Sequence, residues 1–310
     1  MIKGGIRGLA DSRLENVASI RSLGYSEPVT LLRIPCLSDA EHVVRLTDYS
    51  LNSEYVVIKA LSKAAKSQSR IHNIILMIDV GDRREGILPE DTLETVRKIL
   101  MLEGIRLAGI GTNMGCYGGI LPTLDNLHML LAIKEEIEDN FSIPLEIISG
   151  GGTSSLKLVA DGSIPEGINQ LRIGEGILLG TDTTHNSVIE ALAQDTFILR
   201  SEIVELKEKS SVPVGIVGLD AFGNQPHFTD MGIRRRAIIS LGRQDVNIDG
   251  IIPTDPEMFI LGASSDHMLI DVTDSQQHLK VGDTISFRLN YQGLLHLSNS
   301  RYVAKNYIQK

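Results

Sequence analysis

The chain has 310 residues, 42% hydrophobic and 22% charged, which is long enough to bury a large core in one or two domains. Its 29 Gly, 10 Pro and lack of low-complexity tracts exclude a disordered or fibrous protein. The 30 basic and 39 acidic residues give a formal net charge of -9. The one basic cluster, residues 234–236, is too short for a nucleic-acid footprint, so DNA and RNA are not expected partners.

The sequence also bears on the cellular compartment and on metal binding. Apolar runs such as residues 73–78 are far too short to span a membrane, and residues 1–7 lack the pattern of an export signal. The only two cysteines, Cys36 and Cys116, fit a reducing compartment, so we expect a cytoplasmic protein. No local spacing of histidines or cysteines resembles a zinc motif, and no metal site is expected.

From residue 6 to about residue 176, short apolar runs alternate with stretches of helical periodicity, which is typical of βα units. Helical stretches include residues 39–46, 53–65, 89–102 and 123–138, and we expect them on one side of a sheet. Seven strands are predicted, at residues 6–10, 29–34, 49–51, 74–80, 107–111, 145–149 and 171–174.

Strands of this kind form a parallel sheet, either open and doubly wound or closed as a (β/α)8 barrel. No early Gly-x-Gly-x-x-Gly turn marks a dinucleotide fold, so we predict an α/β fold of the (β/α)8 TIM-barrel type. A closed barrel has eight strands and this chain supplies seven. Because the chain opens at Lys3-Gly4-Gly5 as if at a helix terminus, we expect that the first βα unit is missing.

After about residue 195 the pattern changes to short β segments separated by turn signals. The chain is therefore divided into a barrel domain, residues 1–195, and a mostly β domain, residues 196–310. Strands of the second domain are predicted at residues 197–206, 214–217, 236–241, 258–261, 268–272 and 284–289.

Polar side chains follow nearly every predicted barrel strand, where the active site of such a barrel lies. They include Asp11, Arg33, Asn52, Asp79, Arg84, Asn113 and Arg172. Singly, each also fits a cap or a turn. The residues alone leave Arg172 as either a salt-bridged barrel residue or a partner of a ring nitrogen or anion, and Arg84 as either solvated or bound to a carboxylate.

The sharpest local signal is Ser149-Gly150-Gly151-Gly152-Thr153-Ser154-Ser155, which runs from a strand into a helical stretch. Glycines let the backbone approach an anion, and a helix N-terminus supplies free N–H groups. A glycine-rich turn is often only a turn, but a barrel phosphate site lies between the last two βα units, where this segment and Leu171-Arg172-Ile173-Gly174-Glu175 fall. We therefore expect a bound phosphate here.

Five segments carry a family resemblance: residues 11–16, 79–86, 149–155, 171–175 and 218–224. These segments resemble the alanine racemase superfamily. In chain order they read Asp-Ser-Arg-Leu-Glu-Asn, Asp-Val-Gly-Asp-Arg-Arg-Glu-Gly, the glycine-rich segment 149–155 (the phosphate cradle), Leu-Arg-Ile-Gly-Glu and Gly-Leu-Asp-Ala-Phe-Gly-Asn. Members of this superfamily are pyridoxal-phosphate enzymes of fold type III, with a barrel followed by a β domain. Residues 242–245 and 262–267 are similar to the ornithine racemase branch.

The resemblance implies roles for eight residues of a pyridoxal 5'-phosphate site. Arg172 would face the pyridine nitrogen and keep it unprotonated. Arg84 would lie near the cofactor's phenolic oxygen and the substrate carboxylate, with Asn113 beside it where the family has a Thr-His pair. The phosphate would be held by Thr153, Ser154, Gly174 and Glu175, and Tyr302 resembles a C-terminal tyrosine near it.

Two departures from the family affect catalysis. The family's Schiff-base lysine lies upstream of the Asp-Ser-Arg motif, and Lys3 falls on the preceding helix, so the chain as printed should not racemise efficiently. The second base of the family is a tyrosine from the partner's β domain, and residues 219–222 contain none. Substitute bases are sought among Asp220, Cys116, Asp266 and His267, which otherwise fit turn and cap roles or, for the acids, pairing with a cationic substrate side chain.

The leading hypothesis is a pyridoxal-phosphate amino-acid racemase acting on ornithine or a similar basic amino acid by abstraction and return of the α-proton. The alternatives are a noncatalytic pyridoxal-phosphate-binding protein and an inactive, truncated homologue that folds poorly. The resemblance also implies a homodimer in which each β domain completes the partner's site.

Overall fold

The computed structural model describes residues 2–220 and 222–308, and the chain divides into two compact units. The first comprises the residues up to Gly174 together with Asp182–Ser187, and the second comprises Glu175–Thr181 and the residues from Val188 onward. The predicted domain limits, 1–195 and 196–310, stay predictions, because compactness alone does not define a domain.

The first unit is built on a parallel six-stranded sheet whose strands follow chain order. Its strands are β1 (Leu9–Asp11), β2 (Val29–Leu31), β3 (Tyr49–Asn52), β4 (His72–Met77), β5 (Ile105–Thr112) and β6 (Ile147–Gly150). Its helices are α1 (Leu14–Ser22), α2 (Ala40–Leu46), α3 (Tyr55–Ser67), α4 (Thr92–Leu100), α5 (Leu124–Phe141) and α6 (Leu156–Ala160). Further along are α7 (Glu175–Leu179) and two short paired strands, β7 (Thr181–Asp182) and β8 (Ser187–Val188).

The helices pack on one face of this sheet, as predicted. Side chains alternate between the two faces of a strand, so Ile74 and Leu76 of β4 join the helices' core while Ile75 and Met77 form a separate cluster with Leu51. Helix α5 begins with a capping box between Thr123 and Asn126, a local start signal that positions the helix before packing does.

The seventh predicted strand, residues 171–174, does not form a ladder. The chain makes one parallel bridge, between Gln170 and Ser149, and then leaves the sheet. Its backbone is instead hydrogen-bonded to the glycine turn, where Arg172 N donates to Gly151 O at 2.9 Å. Six of the seven predicted barrel strands are therefore strands in the described residues.

The second unit contains an antiparallel six-stranded sheet in the order β11-β14-β9-β10-β13-β12. Its strands are β9 (Ile198–Ser210), β10 (Ile233–Ile239), β11 (Ile251–Pro253), β12 (Phe259–Ala263), β13 (Met268–Asp271) and β14 (Thr284–Leu289). Fully buried Ile203, Ile239, Ile270 and Phe287 form its core. The mostly β character predicted for this part of the chain is confirmed.

One predicted strand of this unit is absent, and one helix was not predicted. Residues 214–217 form no strand, because Pro213 lacks an amide donor and Gly215 has φ +128, and Val214 and Ile216 are fully exposed. Helix α8 (Tyr291–Asn299) was not expected, although Asn290 caps it by accepting a hydrogen bond from Gly293 N. Among residues 2–220 and 222–308, no helix combines the length and the apolar character of a membrane span.

Candidate active site

The face of the sheet opposite the helices is bare along β5. Gly109 and Gly111 present no side chains there; an added Cβ would collide with backbone at Gly109 and would make tight side-chain contacts at Gly111. A Cβ on Gly111 would lie 3.0 Å from Ser149 Cβ and 3.3 Å from Ile75. One on Gly109 would lie 1.9 Å from Ile147 O. At these two positions β5 therefore presents only main chain on this face.

The Arg172 guanidinium lies at the carboxyl end of β5. Its Nη1 donates to Ser149 Oγ, and its Nη2 donates to the carbonyl of Thr112 at 2.7 Å and to Asn113 Oδ1 at 3.1 Å. Desolvation lowers the pKa of Arg172 to about 10, with the charge of Glu85 opposing this shift and that of Arg84 adding to it. The guanidinium is still charged at neutral pH and can only donate hydrogen bonds.

Arg84, Glu85 and Asn113 continue this network. Both oxygens of Glu85 accept from Arg84, which donates through Nε and, at 2.5 Å, through Nη2. Glu85 Oε1 also accepts from Asn113 Nδ2 at 2.5 Å. Since Asn113 Oδ1 accepts from Arg172, hydrogen bonds link Arg84 to Arg172 without interruption.

The loop that carries Arg84 and Glu85 folds back onto β4. Ile87 N donates to Met77 O and Asp79 N donates to Ile87 O, each at 2.9 Å. Gly86 has φ +134, and a Cβ there would lie 2.5 Å from Asp79 N, so only glycine permits this return. The buried Asp79 carboxylate accepts from Gly81 N at 2.8 Å and Arg83 N at 3.1 Å, which fixes the turn.

Asp82 in the same loop organises the loop after β5. Its buried carboxylate accepts from the backbone amides of Cys116, Tyr117 and Ile120 at 3.2 to 3.4 Å. Desolvation raises the pKa of the Cys116 thiol, with Arg84 acting in the opposite direction and Asp82 reinforcing the shift. A thiol held neutral in this way is a poor base at neutral pH.

The predicted phosphate cradle has the expected backbone shape. Gly151 has φ +103, Gly152 leads into the 3-10 turn Thr153–Ser155, and α6 follows directly. A Cβ on Gly152 would lie 3.3 Å from Arg172 O, so the two glycine-bearing segments pass close together. The Ser154 side chain is buried in this turn. Cradle and arginine thus share one end of the sheet.

Several predicted site residues lie elsewhere in the chain. Gly174 is exposed at the end of the first unit, and Lys3 is exposed in the 3-10 turn Ile2–Gly4, ahead of β1. Glu175 belongs to the second unit and accepts from Thr181 Oγ1 at 2.7 Å. Tyr302, also of the second unit, accepts a hydrogen bond from Arg301 at 3.1 Å and is exposed.

The remaining second-base candidates are exposed residues of the second unit. Asp220 accepts from the amides of Asn224 and Phe222, and these bonds, Asn224 foremost, lower the pKa of its carboxyl. Asp266 accepts from Ser265 Oγ at 2.6 Å, and His267 N donates to Ser264 Oγ at 3.3 Å. Ala221, within the motif at residues 218–224, lies outside the described residues. The catalytic roles of these residues stay predictions.

Comparisons with known proteins agree on the family. Residues 1–182 match the model of the alanine racemase N-terminal domain, so the chain belongs to the alanine racemase family. It is by that membership an enzyme of the racemase class, and the predicted resemblance is confirmed.

Two curated relatives and one solved structure are especially informative. Ornithine racemase of Acetoanaerobium sticklandii is 46% identical over 96% of this chain and 84% of its own length. Lysine racemase of Thermotoga maritima is 47% identical over 98% of this chain and 85% of its own length. An alanine racemase structure from Clostridium difficile 630 superposes with a TM-score of 0.68 at 17% identity, covering 96% of this chain and 78% of that one. That likeness confirms the fold class: a TIM-like parallel sheet followed by a β unit.

Sequence reasoning missed Glu85, Ser149 and Asp82 as individual site residues. Glu85 follows Arg84 directly in the sequence, and the side chains of adjacent residues rarely form an ion pair unless the chain turns sharply. The chain does turn sharply here, and the turn depends on Gly86. The signal available was a carboxylate between two arginines and a glycine in the segment at residues 79–86.

Proposed function

We propose that this protein is a pyridoxal-phosphate-dependent racemase of ornithine or a similar basic amino acid. The curated relatives named ornithine racemase and lysine racemase support the substrate class, since each matches nearly the whole chain at 46% or 47% identity. The family supports the cofactor. The one structural observation that carries the proposal is the guanidinium of Arg172, held at the carboxyl end of β5 beside the glycine cradle.

The residues of the first unit fit the cofactor. Gly151 and Gly152 leave a turn free of side chains at the start of a helical segment, which suits a phosphate. Thr153 and Ser154 would add hydroxyl donors, with Gly174 as a further backbone donor. Arg172 offers only N–H groups, so its natural partner is an acceptor such as an unprotonated pyridine nitrogen.

When bound, pyridoxal phosphate supplies an electron sink that acidifies the α-proton of an amino acid. Arg172 moderates that sink, because a guanidinium with a pKa near 10 does not give up its proton to the ring at neutral pH. Ser149 and Asn113 hold Arg172 in place by accepting two of its hydrogen bonds. Arg84 carries the positive charge that would bind the substrate carboxylate.

Racemisation needs proton exchange on both faces of the α-carbon. The second base is proposed among Asp220, Cys116, Asp266 and His267. The raised pKa of Cys116 and the lowered pKa of Asp220 both disfavour these two as proton acceptors and donors near neutrality. We also propose a cytoplasmic homodimer in which the β domain completes the partner's site, and we propose Tyr302 as a residue near the cofactor phosphate.

Exchange of the α-hydrogen for deuterium tests this function. The protein expressed from its native gene, supplied with pyridoxal phosphate, is incubated in deuterium oxide with ornithine, lysine and alanine in either configuration. NMR should show loss of the α-proton signal for ornithine and lysine, faster than for alanine, together with formation of the opposite enantiomer. Binding of pyridoxal phosphate without exchange of any amino acid would favour the noncatalytic binding protein instead.

Borohydride reduction before mass spectrometry adds a second line to that test. Reduction fixes a lysine-bound cofactor to the chain, and peptide mapping then identifies the lysine. We expect one adduct per chain. If no peptide carried the reduced cofactor, covalent attachment of the cofactor to the chain would be contradicted.

A further inference from the structure

Glu85 occupies one whole edge of the Arg84 guanidinium. Its two oxygens accept from Nε and Nη2 of Arg84, which is the side-on, two-bond geometry of a strong arginine–carboxylate pair. The side chain of Glu85 is only 17% exposed, whereas that of Arg84 is 42% exposed. A guanidinium has five N–H groups, so the Nη1 edge of Arg84 is left for another acceptor.

Glu85 is itself fixed from two directions. Asn113 Nδ2 donates to Oε1 at 2.5 Å, so the carboxylate cannot rotate freely. The backbone of its loop is closed onto β4 through Ile87 and through the tight packing of Gly86. A surface ion pair between flexible side chains would have neither restraint.

Glu85 also lies between two positive charges. Arg84 lowers the pKa of Arg172 and Glu85 opposes that effect, so both charges act on the same guanidinium. Without the carboxylate, two cations would repel each other, and Arg84, the more exposed one, would turn toward solvent.

We propose that Glu85 is a positioning residue that holds the Arg84 guanidinium in one orientation, with its Nη1 edge left for the carboxylate of a bound amino acid. This inference rests on the proposed function. It assigns to a residue outside the implied cofactor site the task of fixing substrate orientation, through one bidentate ion pair.

Three variants test this role in the same racemase assay. Glu85→Gln removes the charge, Glu85→Asp keeps the charge but shortens the side chain, and Glu94→Gln breaks an exposed ion pair with Arg97 on α4 as the control. We expect Glu85→Gln and Glu85→Asp to raise KM for ornithine about tenfold and to change kcat by less than about threefold, because substrate orientation is lost while the proton-exchanging groups remain. Glu94→Gln should match the wild type. Unchanged KM in an active Glu85→Gln variant overturns the proposal.

Cys116 provides a second measurement that does not depend on activity. Desolvation raises the pKa of its thiol, and the charge of Glu85 adds to that shift. The charge of Arg84 lowers the same pKa, and more strongly than Glu85 raises it. If Arg84 turns to solvent in Glu85→Gln, alkylation of Cys116 by iodoacetamide at pH 8 should therefore be slower than in the wild type, with Cys36 as the internal reference and Glu94→Gln unchanged.

The two measurements separate the possible failures. A wild-type protein that exchanges no α-hydrogen refutes the proposed function, whatever the thiol does. An active protein whose Cys116 reacts equally fast or faster in Glu85→Gln than in the wild type shows that Arg84 keeps its place without the carboxylate, and refutes the role of Glu85 alone.

Discussion

A buried histidine makes the stability of the first unit depend on pH. His72, at the start of β4, is 2% exposed, and its Nε2 lies 2.8 Å from Ser50 Oγ. Because Asn52 Nδ2 donates to Ser50 Oγ at 2.9 Å, the single hydroxyl proton of Ser50 is free to donate to the imidazole. Burial disfavours the charged imidazole, so the histidine is held neutral whichever ring nitrogen carries the proton.

The pKa of His72 gives the size of the effect. Burial lowers it from 6.5 to about 4, with Arg70 adding to the shift and Asp48 opposing it. Between these two values the unfolded chain binds a proton that the folded chain does not, so stability is complete above pH 6.5 and falls as the pH drops. The full difference corresponds to about 3 kcal/mol, of which about 2 kcal/mol is lost by pH 5.

Urea unfolding followed by circular dichroism at pH 7.5 and pH 5 measures this loss. The His72→Gln variant should lose about 2 kcal/mol less than the wild type over that range, since it has no imidazole to protonate. His128→Gln, on the exposed side of α5, removes a histidine without touching Ser50 and serves as the control. Equal pH dependence of His72→Gln and the wild type would refute the reasoning.

Three further substitutions test the packing. Gly109→Ala should lower the free energy of unfolding by about 3 kcal/mol or more, because its Cβ would lie 1.9 Å from Ile147 O; a fully stable variant would show that β5 and β6 can separate. Asp82→Asn should speed hydrogen exchange of the backbone amides in the loop after β5 by roughly tenfold, because the side-chain NH2 group of asparagine would face a backbone N–H that now has an acceptor. An unchanged exchange rate would argue against the Asp82 carboxylate as the anchor of this loop. Leu61→Ala in α3 should cost about 2 to 5 kcal/mol in urea unfolding, against less than about 0.5 kcal/mol for the exposed Val56→Ala, and equal losses would contradict the burial of Leu61.

Much of the fold could be predicted because local pattern and tertiary packing agree there. The alternation on β4 and the capping box at Thr123 are strong signals that the packed sheet reinforces. Residues 171–174 show the limit, since an apolar run cannot reveal that the backbone will bond to the turn at Gly151 instead of to a neighbouring strand. The strand predicted at residues 214–217 is wrong for a related reason. The prediction followed the strand preference of valine and isoleucine and gave too little weight to Pro213 and Gly215, which disfavour a strand.

The candidate site was predictable in its arginines and its glycine cradle but not in its connections. Arg84, Asn113 and Arg172 were expected at strand ends, and the structure brings them into one network. The carboxylate that joins them, Glu85, depends on a sharp return of the chain that no residue periodicity encodes. Burial that shifts the pKa of Cys116 is likewise a property of the folded chain alone.

The bare face of β5 determines where this protein can change its substrate preference. Gly109 and Gly111 present only main chain along that strand, and a side chain at Gly109 would collide with the backbone of the adjacent strand. Substitutions that reshape the site must therefore fall in the loops after β4 and β5, which meet at Asp82. Selection for new amino acids would act on those loops and leave the sheet unaltered.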